Sequence, residues 1–406
     1  MILFIAPNPH RVEMREGFLQ RVAAVDKLFV GEEKVYFEDY KTIDSQADVI
    51  GKADLIYVHS IYSAKWIRSV YPLLTSKLVT DLHGVVPEEE ELQGNADRAR
   101  IMSEVEAEVF TFCNTFVAVS EEMAAHYKAK YNLGNEVSWI ILPIFDESDA
   151  IDIAKKNFDF KVVYAGGTQQ WQNVDKMVEA INESNVYTFT ILTHNPDGFS
   201  HINQDKRPNV VVKTVPSSEV GTHYQNASLG FLLRDSNIVN RVACPTKLIE
   251  YLGNGVVPIV ISPAIGDAKR LGYSYVTLQE FKSKKISKKR LKNAAEINMK
   301  VYEDFRLQSE LGRKELTRLV KKLKPLHGAS HETAIIRYYL GLYEAYENDI
   351  NELWRHNDII QKKDQELRMS QDIISDQKEV IDRFNNSRVG RIIKFIRKVK
   401  EIEKRQ

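Results

Sequence analysis

The sequence predicts an α/β protein built from two consecutive doubly wound domains facing each other, with a long helix after them. Three observations carry that expectation. Two successive series of short apolar runs alternate with helical patterns, a short Pro-containing junction separates the series, and the chain beyond His331 turns polar, helical and free of proline. With 406 residues, the chain has room for two domains and an extension.

The first series is Ile2–Ala6, Lys27–Val30, Leu55–Val58, Lys77–Thr80, Thr115–Val119 and Val137–Leu142. These runs are rich in Val, Ile and Phe without strict alternation, as strands covered on both faces are, and that implies a parallel sheet between helix layers. A helical pattern over Asp97–Phe112 feeds the run at Thr115. After Pro143-Ile144-Phe145-Asp146-Glu147 come Phe160–Tyr164, Tyr187–Leu192, Val210–Val212, Leu229–Leu233, Val257–Ile261 and Tyr275–Val276. Helical stretches over Asn173–Asn182, Ser218–Asn226 and Thr246–Gly253 separate them. The expected boundaries are 1–143, 144–323, a helical extension over 324–387 and a basic tail over 388–406.

Composition removes several classes. Hydrophobic residues make up 43%, enough for buried cores, so collagen-like and wholly disordered readings fail. Two cysteines, Cys113 and Cys244, without metal-ligand spacing argue against a disulfide scaffold or a zinc module. The N-terminus reads as a first strand rather than a signal peptide, and no apolar run approaches the ~20 residues of a membrane span. The expected location is cytoplasmic.

Lys+Arg and Asp+Glu both total 56, but the last nineteen residues carry eight Lys/Arg against two Glu, which leaves +6 there and −6 before it. Val389, Ile392, Ile393, Ile396 and Val399 share a helical face among those cations, a pattern suited to an anionic membrane surface. With the rest of the chain acidic, nucleic acid is not an expected partner. Upstream, Tyr346, Leu353, Ile360, Leu367, Ile374 and Ile381 recur every seven residues, while the second column turns polar at Asn357, Asp364, Gln371 and Lys378. One apolar heptad column favours self-association through the 331–387 helix as a loose coiled coil, with a solvated single helix as the competing reading.

The segment from Arg234 to Val260 is the most informative for chemistry. A buried run ends in charge, and a loop then reaches Pro245, a residue suited to the first turn of a helix. The free N–H groups and positive end of a helix starting at Thr246-Lys247 would hold a diphosphate. Lys247 adds a formal charge there, Glu250 lies one turn on within reach of a ribose diol, and Gly253 and Gly255 end the helix.

Pro245, Thr246, Lys247, Glu250, Tyr251, Gly255 and Pro258 fit a "P-x-K-x-x-E-Y…G-x-P" pattern. In it the sequence resembles the nucleotide-sugar-dependent glycosyltransferases of the GT-B fold, more narrowly the family-4-type bacterial enzymes of surface-polysaccharide assembly. Val162–Gly167 resembles that family's donor-domain first strand and glycine turn, Asp81–Glu89 its N-domain loop, and Ala118–Glu121 the strand end before its hinge. The resemblance covers residues 1–323. It implies two Rossmann-like domains facing across a cleft, an acceptor domain first and a donor domain second. By it, Glu250 bonds the donor ribose and Lys247 the diphosphate, with Thr246 and Arg241 adding phosphate contacts. Gly166 and Gly167 let the backbone approach the diphosphate, and His83 from the opposite domain sits at the sugar–acceptor boundary. It implies no metal or other cofactor, a glycan or lipid-linked acceptor, and retention of anomeric configuration.

One position departs from the pattern. Many family-4-type enzymes carry an acidic residue eight positions before Glu250, and here Val242 stands there. A non-catalytic nucleotide-sugar-binding scaffold therefore stays open as an alternative; a nucleotide-sugar epimerase is the other, although it needs acids and bases around the sugar and Val242 offers none. Trp171 reads equally as a stacking residue or a hinge cover, the acidic run Glu88–Glu91 as a solvated helix face with catalysis as the lesser reading, Cys113 and Cys244 as packing residues, and Arg11 and Arg15 as acceptor contacts or helix caps.

Overall fold

A computed structural model describes residues 1–10, 17–74, 78–143, 150–202, 207–322 and 329–387. Arg11, Arg15, the junction after Pro143, Pro325, Gly328 and the basic tail 388–406 lie outside the described residues. Two compact units divide the chain, Met1–Leu340 and Gly341–Gln406.

The first unit contains two six-stranded, wholly parallel sheets. In the first lobe the strands are β1 (Ile2–Ile5), β2 (Lys34–Tyr36), β3 (Leu55–His59), β4 (Leu78–Leu82), β5 (Thr115–Ala118) and β6 (Ser138–Ile141), ordered β2-β1-β3-β4-β5-β6. In the second they are β7 (Lys161–Ala165), β8 (Thr188–Leu192), β9 (Val210–Lys213), β10 (Leu229–Leu232), β11 (Val257–Val260) and β12 (Val276–Thr277), ordered β12-β11-β10-β7-β8-β9. Both orders reverse direction beside the first strand of their sheet, which leaves a crevice at the carboxyl ends of the strands.

Neither sheet has a wet face. Leu3, Ile5, Ile56 and Val58 join one core cluster, and Ile2, Phe4, Leu55 and Tyr57 join another on the opposite face. In the second lobe Val162, Tyr164, Leu229 and Phe231 face one layer, Val163 and Leu232 the other. That two-sided burial explains the unalternating apolar runs.

One expected strand is corrected. Lys27–Val30 forms the turns after the helix Gly17–Asp26, with Val30 86% exposed, and the second strand is the short edge segment Lys34–Tyr36.

The helix Lys288–Lys322 belongs to both lobes. Leu291 and Ala295 pack into the core of the second, and Leu316 into the core of the first. The backbones touch where it crosses, since a Cβ on Gly312 would collide with the Ile141 carbonyl. Ile336 and Leu340, at the start of the helix Ala329–Asn386, also close the first lobe's core, so the first compact unit runs past residue 323 to Leu340. In the second unit the heptad column Tyr346, Leu353, Ile360, Leu367 and Ile374 is exposed. Among the described residues no helix is long and apolar enough to cross a membrane.

Candidate functional site

A cavity of about 590 Å³ opens between the two lobes. Phe18, Ser60, Tyr62, His83 and Glu89 line it from the first lobe, and Trp171, Arg234, Cys244 and Thr246 from the second half of the chain. Ser60, His83 and Arg234 follow strand ends, while Phe18, Glu89 and Thr246 stand near the starts of helices. Ser60, following β3, holds a left-handed backbone at φ 71° and takes the Tyr62 N–H on its hydroxyl, a conformation that costs a non-glycine residue energy.

On the second lobe, Pro245 caps the helix Thr246–Gly253, whose Leu248, Ile249, Tyr251 and Leu252 are buried. Gly253 lies on the Tyr302 ring, and Gly255, at φ +60°, turns the chain into β11. The helix start is therefore held by packing on one side, while Thr246 lines the cavity on the other. Lys247 turns back from it to lie beneath the glycine turn after β7. Its Nζ is 4.0 Å from the Tyr164 ring centroid and donates to Gln172 Oε1 at 3.2 Å. A Cβ on Gly166 would stand 2.7 Å from that Nζ and 3.0 Å from the Tyr164 hydroxyl, so glycine keeps the space open. Tyr164 Oη donates to the Gly167 carbonyl, which fixes the turn. Burial, with the Arg234 guanidinium beside it, lowers the Lys247 ammonium to about 7, against the pull of Glu250.

Arg234 follows β10. Its Nη1 donates to Asn240 Oδ1 at 3.0 Å, and its buried Nε has no hydrogen-bond partner. Burial lowers this guanidinium to about 10. Two cations weakened by desolvation, beside a helix N-terminus, form a site that an anion would relieve.

On the first lobe, His83 stands at the end of a buried polar chain. Asp81, on β4, accepts from Arg21 Nε and Nη2, both at 2.9 Å, and from Tyr57 Oη at 2.8 Å. His83 Nε2 is 3.4 Å from Asp81 Oδ2 and 3.4 Å from His59 Nδ1. Desolvation alone would raise the Asp81 carboxyl, but Arg21 and His83 outweigh it and hold it far below the carboxylate range. Burial pushes His59 well below its ordinary value, so it is neutral. His59, Asp81 and His83 have the spacing of a metal-binding trio, with ligand atoms within 4.8 Å of one another. Both Asp81 oxygens are already taken, and Arg21 supplies the positive charge a dication would bring, so the trio fits a cation poorly.

The nominated residues divide in three. Thr246 and His83 line the cavity, and Gly166 and Lys247 meet beside it. Glu250 is not among the cavity-lining residues; its charge acts on Lys247, and its carboxylate takes a hydrogen bond from Tyr224. Arg241 is exposed and lines a separate depression with Glu122, Lys269 and Arg270, because its short helix Ile238–Val242 turns Asn240 and Val242 inward. The cation that does reach the cavity is Arg234, which sequence reasoning passed over, although a charge ending a buried strand was its signal. Trp171 and Cys244 both line the cavity, while Cys113 is buried core.

No family model and no curated protein sequence matches the chain. Solved structures do. The Anabaena protein Alr3699/HepE in complex with UDP and glucose aligns at TM-score 0.54 and 11% identity, over 78% of this chain and 99% of that one. The GtfA/B complex aligns at 0.48 and 12%, over 69% of this chain and 60% of that one, so the chain spans less than two thirds of its length. A T4 phage BGT mutant in complex with UDP-glucose aligns at 0.45 and 13%, over 79% and 98%. The architecture of this chain is the GT-B fold.

Proposed function

We propose that the chain is a glycosyltransferase, of hexosyltransferase type, that moves a sugar from a nucleotide-diphosphate donor to a glycan or lipid-linked glycan in cell-surface polysaccharide synthesis. One observation carries this reading: the Lys247 ammonium lies beneath Gly166 at the start of a helix, beside a cavity that His83 enters from the facing lobe. A diphosphate seated there would meet backbone N–H groups, Lys247 and Arg234, which would stabilise the charge that grows on it as the sugar leaves. Glu250, one turn on, would read the ribose. His83, held by Asp81 and His59, would bond the sugar or acceptor. The HepE structure, with UDP and glucose on the same fold, supports the donor class.

In this reading the protein works at the inner face of the cell membrane, attached through residues 388–406, and pairs with a second copy through the 331–387 helix. A second reading, a donor-binding scaffold without catalysis, draws on Val242, which is 2% exposed and spent on core packing where an acid would meet the sugar.

A thermal-shift screen of nucleotide diphosphates and their sugars tests the reading. One family of ligands raises the melting temperature, and Lys247→Met removes the shift. A chain indifferent to every nucleotide ends the proposal. Glu250→Ala then separates enzyme from scaffold, because only an enzyme loses its biological effect.

A further inference from the structure

Among the described residues that line the cavity, Glu89 is the only carboxylate. The acidic run it belongs to divides by partner. Glu88 bonds Lys130 at 2.9 Å and His126 at 3.2 Å. Glu90 is buried against Tyr62, Asn95 and Arg98. Glu89 is left to face the cavity, from the first turn of the helix Val86–Leu92. Its carboxylate accepts the Val85 N–H and folds back over Gly84, where a Cβ would collide with its Oε1. The glycine after His83 thus makes the space in which Glu89 sits.

Across the cavity stand Arg234 and the start of the helix Thr246–Gly253; among the described residues lining that side there is no acid, and Val242 is buried. We propose, on the transferase reading above, that Glu89 is the general base of the reaction and that the sugar is transferred with inversion. The acceptor hydroxyl gives its proton to the Glu89 carboxylate as its oxygen bonds the anomeric carbon. The bond from that carbon to the diphosphate oxygen breaks, and its electron pair leaves with the diphosphate, toward Lys247 and Arg234. A base on one wall and the leaving group on the other place the attack on the face opposite departure. That outcome differs from the retention implied by the family resemblance.

The surroundings suit the role. Burial raises the Glu89 carboxyl to about 6, with Glu88 and Glu90 adding to the rise and the Val85 N–H and Arg234 opposing it. Among the described residues, the other charged or titratable groups lining the cavity are His83 and Tyr62 on the same lobe and Arg234 and Cys244 across it. A base poised near neutrality both holds its charge and takes a proton readily.

The test uses the full chain with UDP-glucose, UDP-N-acetylglucosamine and UDP-galactose, water serving as acceptor, and proton NMR reading the anomer first released. These donors are α-linked, so the expected sugar is β. Glu89→Gln lowers release about a hundredfold or more, while UDP affinity by calorimetry stays within about twofold. Gly84→Ala, which displaces the carboxyl without removing it, lowers release by less. Where release is too slow to score, carbon-13 NMR of the Glu89 carboxyl decides: its titration shifts with UDP-glucose and not with UDP. Release of the α-anomer, a Glu89→Gln chain at the wild-type rate, or a titration blind to UDP-glucose overturns the proposal alone. A wild-type chain indifferent to every nucleotide diphosphate and nucleotide sugar of the thermal-shift screen overturns the transferase reading and this one with it; where that screen selects another base, its sugars replace the UDP-sugars here.

Discussion

The Asp267 carboxylate, in the second lobe, accepts the backbone N–H of Glu121 at 2.9 Å, and so caps a helix that belongs to the first. Its other oxygen takes the Glu122 N–H at 3.0 Å, and Ser120, the residue before, donates its hydroxyl to the Val242 carbonyl. The helix Glu121–Tyr131 thus has its first free N–H groups satisfied from across the lobe boundary, where a carboxylate also suits the helix dipole.

Removing that carboxylate should therefore weaken the joint between the lobes as well as a helix. Asp267→Ala is expected to lose about 1–2 kcal/mol, in the range of a lost cap. Urea unfolding measures it; a midpoint equal to wild type would mean that the contact contributes nothing.

Arg21 and Asp81 give a prediction with a sign in pH. The folded carboxyl of Asp81 lies below its unfolded value, so its contribution is complete above about pH 4 and fades as pH falls through and below that point. Arg21→Met leaves a buried carboxylate without its guanidinium, at a cost of about 3–5 kcal/mol at pH 7. In the variant the Asp81 carboxyl rises instead, so acid relieves it. The gap between variant and wild type should narrow from pH 7 to pH 3 in urea titrations; a gap that widens contradicts the pairing.

Lys247 should betray its ligand by a proton. With the free ammonium at about 7, much of it is neutral at pH 8, and a diphosphate restores its charge. UDP binding at pH 8 is expected to take up a proton, and at pH 6 close to none. Calorimetry in buffers of differing ionisation enthalpy counts it. Uptake that persists in Lys247→Met would assign the proton elsewhere.

The exposed heptad column sets a test of pairing. Leu353→Lys, Ile360→Lys and Leu367→Lys together, in the full chain, are expected to turn a dimer into a monomer in sedimentation while the melting temperature holds. An unchanged sedimentation coefficient rejects self-association through this helix.

Much of the fold could be read from the residues because most of it obeys local rules. Eleven of the twelve expected strands overlap observed ones, and the helix Thr246–Gly253 has the expected ends, since Pro245 and Gly255 punctuate it chemically. The error at Lys27–Val30 has a plain cause: three apolar residues look like a strand wherever they fall, whereas the true edge strand, Lys-Val-Tyr, is too short and polar to announce itself. Lys247 and Gly166 were legible as a pair of motifs. The chain Arg21–Asp81–Tyr57–His59 was not, because its members lie up to 60 residues apart and meet only once parallel strands stand side by side. The same holds for Glu89, whose difference from its acidic neighbours rests on who their partners are.

The helix that begins on one lobe and finishes in the heart of the other leaves a mechanical signature. The polypeptide now passes between the lobes twice, near Pro143 and again along Lys288–Lys322, with Gly312 pressed to Ile141 where the two passages run together. A door hung at two points on one edge swings about that edge and resists twisting. The opening that admits a substrate should be such a swing, widest at the rim farthest from Gly312.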